Sequence, residues 1–169
     1  MRIADAILSE LYQEAATTRR VLERVPNDKL SWKPHPKSMS LGQLALHVAT
    51  IPGAIAGLLS GDEFQLPATG FQQSSATSTG ELLPALEKSI ADAAAMLKAL
   101  DEPKASGLWK LKRGSKEIAS IPRAGAIRSL MLNHWYHHRG QLSVYLRELD
   151  VPLPSIYGPS ADENPFASI

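Results

Sequence analysis

The chain contains no cysteine. This absence excludes disulfide bonds, thiolate zinc sites and a cysteine nucleophile within the chain, and it is typical of cytosolic proteins. The N-terminus lacks the apolar region of a signal peptide, and we identify no apolar run of the roughly 18 residues that a transmembrane helix needs. We therefore expect a cytoplasmic protein that does not interact with a membrane.

The chain also lacks an excess of charge of either sign. Its 169 residues include 18 basic and 17 acidic side chains, for a formal net charge of +1. Without a basic run or stripe, nucleic acid is not an expected partner. A basic cluster at residues 110–116 is expected to be a solvated surface, and binding of an anionic substrate is the alternative. The length suits one domain, expected to span residues 1–169.

Apolar residues recur at spacings of three and four in several stretches, which is typical of helices that bury one face. Ser40 and Gln43 form a capping-box pattern, as do Ser78 and Glu81, and each pattern predicts a helix start. The sequence therefore predicts an all-α protein, a four-helix bundle. The expected helices cover about residues 3–25, 41–59, 79–100 and 126–149.

The remaining segments lack a helical period. Residues 61–77 are expected to form a loop, and residues 101–125 either a short hairpin or a plain loop. The tail, residues 150–169, is rich in proline and is expected to pack on the bundle.

Three of the five histidines lie within the last predicted helix. At about 100° per residue, His134 and His138 face the core, while His137 lies at the edge of the apolar sector. Arg139 and Arg147 point away from the core and are expected at the surface or an interface.

His47 faces the core on the second predicted helix. Pro52 and Gly53 follow one turn later and are expected to kink or break that helix, with a simple helix end as the alternative. Three inward imidazoles on two helices favour one shared metal ion, with a fourth position left for water or substrate. The alternative is that these histidines are core residues with ordinary hydrogen bonds and bind no metal.

Two regions of the chain resemble one protein family. The segment 134–142, continued by 145–147 and 154–163, closely resembles the C-terminal signature of DinB-like proteins. Residues 30–34 and 38–44, followed by His47, resemble the second-helix region of the same family. This is the damage-inducible family that includes YfiT-like and bacillithiol-transferase-like proteins, not the error-prone polymerase that shares its name.

The resemblance implies a four-helix bundle with one long crossover connection, often assembled as a homodimer. It implies His47, His134 and His138 as the metal ligands, with zinc or nickel as the ion. Some relatives are thiol S-transferases that use bacillithiol or mycothiol, and one branch is a thiol-dependent maleylpyruvate isomerase. Many members have no assigned reaction.

Our first hypothesis is a metal-dependent enzyme, a thiol S-transferase or a hydrolase, that acts on a small molecule with an external low-molecular-weight thiol or water. His137, Gln141 or Tyr157 would help to position the substrate, and no catalytic residue is identified. One alternative is a non-catalytic metal-binding stress-response protein. The other is a metal-free dimeric interaction bundle.

Overall fold

The computed structural model describes residues 2–167, so Met1, Ser168 and Ile169 of the predicted domain and tail lie outside the described residues. Within this range α2 has the predicted limits, whereas α1 ends three residues before the predicted limit at Val25. The helices are α1 (Ile3–Leu22), α2 (Leu41–Leu59), α3 (Leu82–Ala99), α4 (Glu102–Ser106), α5 (Arg123–Ala126) and α6 (His134–Glu148).

Reciprocal hydrogen bonds begin α2 at the predicted residue. The N–H of Gln43 donates to Oγ of Ser40 at 3.2 Å, and the N–H of Ser40 donates to Oε1 of Gln43 at 2.8 Å. These bonds satisfy two backbone donors that have no partner within the helix. The corresponding pair before α3, Ser78 and Glu81, caps one 3-10 turn at residues 79–81, so α3 begins at Leu82 and not at residue 79.

A small sheet accompanies the helices. Its strands within residues 2–167 are β1 (Glu63–Gln65), β2 (Leu108–Arg113) and β3 (Lys116–Pro122). β2 and β3 form an antiparallel hairpin through Gly114, which has the positive φ of 58° that such turns favour, and β1 pairs with β2 in parallel. The hairpin alternative for residues 101–125 is therefore correct. The all-α prediction and the loop prediction for residues 61–77 are wrong where these strands form.

The sheet is attached to the C-terminal end of α2. Arg123 is only 1% exposed and donates to the carbonyl oxygens of Leu59 and Gly61, while the indole of Trp109 donates to the carbonyl of Leu58 at 3.2 Å. The last carbonyls of a helix have no partner within the helix. Trp109 of β2 and Arg123, which directly follows β3, supply partners for Leu58 and Leu59 and so join the hairpin to the end of α2.

The helix α2 packs against α3 and α6, and α1 packs against α3. Buried apolar side chains from all of these helices form one core. Among the described residues α2 alone is long and apolar enough to cross a membrane. The sequence pattern alone had indicated no such helix. Half of the 18-residue window in α2 is buried, and core helices of globular proteins pass the same test, so α2 gives weak support for a membrane span.

The chain enters α6 through a π-helical segment, Ile127–Asn133. The sequence predicted one α-helix over residues 126–149, and this part of the prediction is wrong. Hydrogen bonds in a π-helix span five residues and not four, and such segments occur frequently at functional sites. Here the segment ends directly before His134.

Arg139 is buried within the chain, contrary to the prediction that it lies at the surface or an interface. Its side chain pairs with Oε2 of Glu14 at 2.6 Å and lies against the rings of Tyr136 and Tyr157. The sequence pattern placed Arg139 on the polar side of α6 correctly, but α1 and the tail cover that side. Arg147 is exposed, as predicted.

Residues 151–167 contain no helix or strand and lie against α1 and α6. Two ion pairs hold this tail, one between Arg20 and Glu163 at 2.5 Å and one between Arg147 and Asp162. The tail thus covers the Arg139 side of α6.

Candidate metal centre

Three imidazole rings from two helices meet at one point. His47 comes from α2, and His134 and His138 come from successive turns of α6. One nitrogen of each ring lies within 4.8 Å of the corresponding nitrogens of the other two. The ring centroids are 5.3 Å apart for His47 and His134, and 4.6 Å apart for the other two pairs. The structure therefore brings together the three histidines that the sequence analysis named.

This donor set fits a divalent ion. Zinc binds imidazole nitrogens at about 2.0–2.1 Å, so a tetrahedral ion holds its ligand nitrogens about 3.4 Å from one another. Nitrogens already within 4.8 Å of one another reach that spacing by small side-chain rotations. Among the described residues no fourth histidine, cysteine or carboxylate joins the cluster. Three protein ligands with one position left open are typical of catalytic zinc sites, whereas structural sites are closed by four.

Both histidines of α6 are oriented through Nδ1. Nδ1 of His138 lies 2.7 Å from Oε1 of Gln141, and Nδ1 of His134 lies 3.3 Å from the carbonyl oxygen of Leu130 in the π-helical segment. Because both acceptors are oxygens, they favour the tautomer with the proton on Nδ1. That tautomer leaves the lone pair on Nε2 free for a metal ion.

Burial keeps His47 neutral. Desolvation, and then the neighbouring rings of His138 and His134, lower the pKa of His47 to about 4. Desolvation also lowers the pKa of His134 and of His138. Metal binding requires the neutral ring, so these rings are in the binding form at neutral pH.

A buried hydrogen bond lies directly beside the cluster. The indole N–H of Trp135 donates to the carbonyl oxygen of Val48 at 2.8 Å. Pro52 has no N–H with which to occupy that carbonyl, although α2 continues through it to Leu59. The predicted helix break is therefore wrong, as is the alternative of a helix end, while the predicted kink stays a prediction. The sequence contains the signal for this bond, because a proline frees the carbonyl four residues before it, but the donor could not be identified from the sequence.

Of the three residues that the sequence suggested for substrate contact, two lie beside the histidine cluster and one does not. His137 is exposed, with its ring centroid 5.0 Å from that of His138, and Gln141 contacts His138 directly. Tyr157 lies elsewhere, where its hydroxyl contacts Arg139 at 2.5 Å and Glu14 at 3.0 Å.

Two of the four basic residues in the cluster on the hairpin form ion pairs. Nζ of Lys110 lies 3.2 Å from a carboxylate oxygen of Glu117, and Lys112 pairs with Glu63. These pairs favour the solvated-surface interpretation over an anion site.

The family model described as the DinB family matches residues 1–165. YrdA, an uncharacterised protein of Bacillus subtilis, is 24% identical over 162 residues, which cover 94% of this chain and 90% of YrdA.

Two solved structures of DinB-like proteins have a similar fold. YjoA of Bacillus subtilis is 23% identical with a TM-score of 0.68, over 89% of this chain and 96% of that chain. A DinB-like protein of Bacillus cereus is 21% identical with a TM-score of 0.69, over 90% of this chain and 97% of that chain. At these identities the likeness shows a shared fold.

Proposed function

The chain belongs to the DinB family, and from that premise we propose that it is a metal-dependent enzyme with a divalent ion held by His47, His134 and His138. The observation that carries the proposal is the convergence of these three rings, from two helices, to within 4.8 Å. The reaction class that we propose is thiol S-transfer to a small electrophile, or hydrolysis.

The chain's own residues hold and orient the ligands. Gln141 and the carbonyl of Leu130 fix the rings of His138 and His134. A divalent ion in such a site lowers the pKa of a bound water or thiol and so supplies a nucleophile at neutral pH. His137 and Gln141 lie on the exposed side of His138, where we propose that they contact the substrate.

Two observations support this proposal over its alternatives. Among the described residues the cluster contains no fourth protein ligand, which favours an open catalytic site over a purely structural one. The Nδ1 atoms of His134 and His138 face oxygen acceptors, which leaves the Nε2 lone pairs of both rings available to a shared ion and so favours a metal site over a metal-free core.

We propose zinc or nickel as the ion, since imidazole ligands suit both metals. Because the chain has no cysteine, S-transfer requires an external low-molecular-weight thiol. We also propose a homodimer in the cytoplasm, which light scattering coupled to size exclusion and fractionation of the source cells would test.

The test is an activity screen of tag-free protein loaded with zinc or nickel. One arm follows the loss of several low-molecular-weight thiols in the presence of small electrophiles, and the other follows ester and amide hydrolysis without thiol. We expect turnover that His138→Ala abolishes. His35→Ala, which removes an exposed histidine outside the cluster, should retain it. A fully metal-loaded protein without turnover in either arm would contradict the enzymatic proposal.

A further inference from the structure

One backbone hydrogen bond of α2 is missing at Pro52, one turn beyond His47. A proline inside a helix lacks the N–H that would bond to the carbonyl four residues earlier, and its ring crowds that carbonyl. In α2 the proline is Pro52, and the carbonyl is that of Val48. Val48 is completely buried, so this oxygen cannot turn to water and needs a partner from another part of the protein.

The partner comes from the helix that carries the other two histidines. Nε1 of Trp135 donates to the Val48 oxygen at 2.8 Å, and Trp135 is itself completely buried. Val48 directly follows His47 in the chain, and Trp135 directly follows His134. One buried bond therefore joins the neighbour of one proposed ligand to the neighbour of another.

A second contact lies on another side of α2, at the residue that follows Pro52. The N–H of Gly53 donates to Oγ of Ser89 in α3 at 2.7 Å, and Ser89 is 5% exposed. This bond joins α2 to a helix that carries none of the clustered histidines. Like the bond of Trp135, it is a buried hydrogen bond between α2 and a neighbouring helix. Because it joins α2 to α3 and not to α6, it provides a matched control.

We propose that the Trp135–Val48 hydrogen bond, which Pro52 makes possible, is the positioning device of the three-histidine site. It sets how far α6 slides and rotates on α2, and thereby the spacing of His47 from His134 and His138. Trp135 is a positioning residue, because it acts through the helix backbones that carry the ligands. This inference rests on the proposed metal site, and it adds the residue pair that determines the geometry and affinity of that site.

A purely structural role is the alternative. A buried aromatic residue contributes to stability wherever it packs, so loss of stability alone does not distinguish the two roles. Metal affinity and the geometry of the bound ion do distinguish them, because a residue that only stabilises the fold changes neither in the folded protein.

The test compares three variants of the full chain. Trp135→Phe keeps an aromatic ring but removes the donor. Pro52→Ala restores an N–H that competes for the Val48 oxygen while leaving the indole in place. Ser89→Ala removes the matched bond to α3. For each protein, cobalt(II) binding is titrated by its visible absorption, zinc affinity is measured by competition with a chelator, and thermal unfolding is recorded without metal.

We expect Trp135→Phe to weaken zinc binding roughly 10-fold to 100-fold, the loss typical when a residue that orients ligands is removed. The cobalt spectrum should change in intensity or position. Pro52→Ala should act in the same direction, and it serves as the test if Trp135→Phe does not fold. Ser89→Ala should lower the unfolding temperature while keeping wild-type affinity and spectrum.

The inference is overturned if folded Trp135→Phe, or Pro52→Ala in its place, binds both metals as the wild type does. It is equally overturned if Ser89→Ala weakens binding as much as they do. If the wild-type protein binds neither of these metals nor nickel, the proposed function itself fails, and the inference fails with it.

Discussion

Nδ1 of His138 lies 2.7 Å from Oε1 of Gln141, one helical turn further along α6. A metal-binding histidine usually donates its second ring N–H to such an acceptor, which fixes its tautomer and orientation and raises its basicity. Gln141 is exposed and His138 is half-buried, so this contact lies at the rim of the proposed site.

Replacing Gln141 with leucine should weaken zinc binding roughly 10-fold, because His138 loses the acceptor that holds its ring. Gln141→Glu keeps an oxygen acceptor at the same position and should retain wild-type affinity or exceed it. Chelator competition at constant pH measures both. Wild-type affinity in the leucine variant would show that Gln141 does not orient the ligand.

Replacing Gly53 with alanine should destabilise the protein by about 1–3 kcal/mol, the usual cost of overpacking. The added Cβ would lie 2.8 Å from Cα of Ser89, closer than two such atoms can approach. Gly57→Ala is the matched control on the same helix, because the added Cβ meets no described atom within 4 Å. That change should stabilise α2 by about 0.5–1 kcal/mol through helix propensity.

Urea unfolding of the two glycine variants measures this difference. Equal effects of the two substitutions would contradict the close contact between α2 and α3.

Replacing Arg139 with methionine should destabilise the protein by about 3–5 kcal/mol, because it leaves the carboxylate of Glu14 without its buried partner. The Arg139 side chain is 2% exposed and that of Glu14 is 14% exposed. Arg147→Met is the control, since its pair with Asp162 is far more exposed and such pairs contribute about 0–1 kcal/mol. A loss below about 1 kcal/mol in Arg139→Met, measured by urea unfolding, would contradict the buried pair.

The tail should loosen in acid. Hydrogen bonds from Arg147 and Arg20 lower the pKa of Asp162 and of Glu163, respectively, in the folded protein. A carboxylate with a lowered folded-state pKa contributes stability above its unfolded pKa and loses that contribution as the pH falls through the folded value. Docking of the tail should therefore weaken below about pH 4.

A fluorophore on a cysteine introduced at Ala161 reports this change, because the chain has no other thiol. Its anisotropy should fall on acidification while the helical circular dichroism persists. Asp162→Asn should show a lower anisotropy at neutral pH and a smaller change with pH. Constant anisotropy down to pH 2 would contradict docking through these carboxylates.

Features that depend on local sequence were predictable. The reciprocal bonds of Ser40 and Gln43 involve residues three apart, so the pattern placed the start of α2 correctly. The placement of His134 and His138 on one face likewise follows from their spacing of four residues. The inward position of the third histidine, His47, was predictable because His47 lies on the apolar face of its helix, and that face packs against the core.

Features that depend on distant partners were not predictable. The strand Glu63–Gln65 forms by parallel pairing with β2, which lies more than forty residues later in the chain. Three residues are too few to show the alternation of apolar and polar side chains that predicts a strand. Arg139 lies on the polar side of α6, and helical periodicity does not reveal that α1 and the tail cover that side. The π-helical segment before His134 is equally hidden, because its side chains fit an ordinary helical pattern.

The central claim is that His47, His134 and His138 hold one divalent ion, and titration of metal-free, tag-free protein with zinc and, separately, with nickel tests it most directly. We predict that the wild type binds about one equivalent, that alanine at any of these three positions abolishes tight binding, and that His137→Ala, beside His138 but outside the cluster, retains it. No binding by the wild type would contradict the claim, as would loss of binding in His137→Ala with retention in His47→Ala.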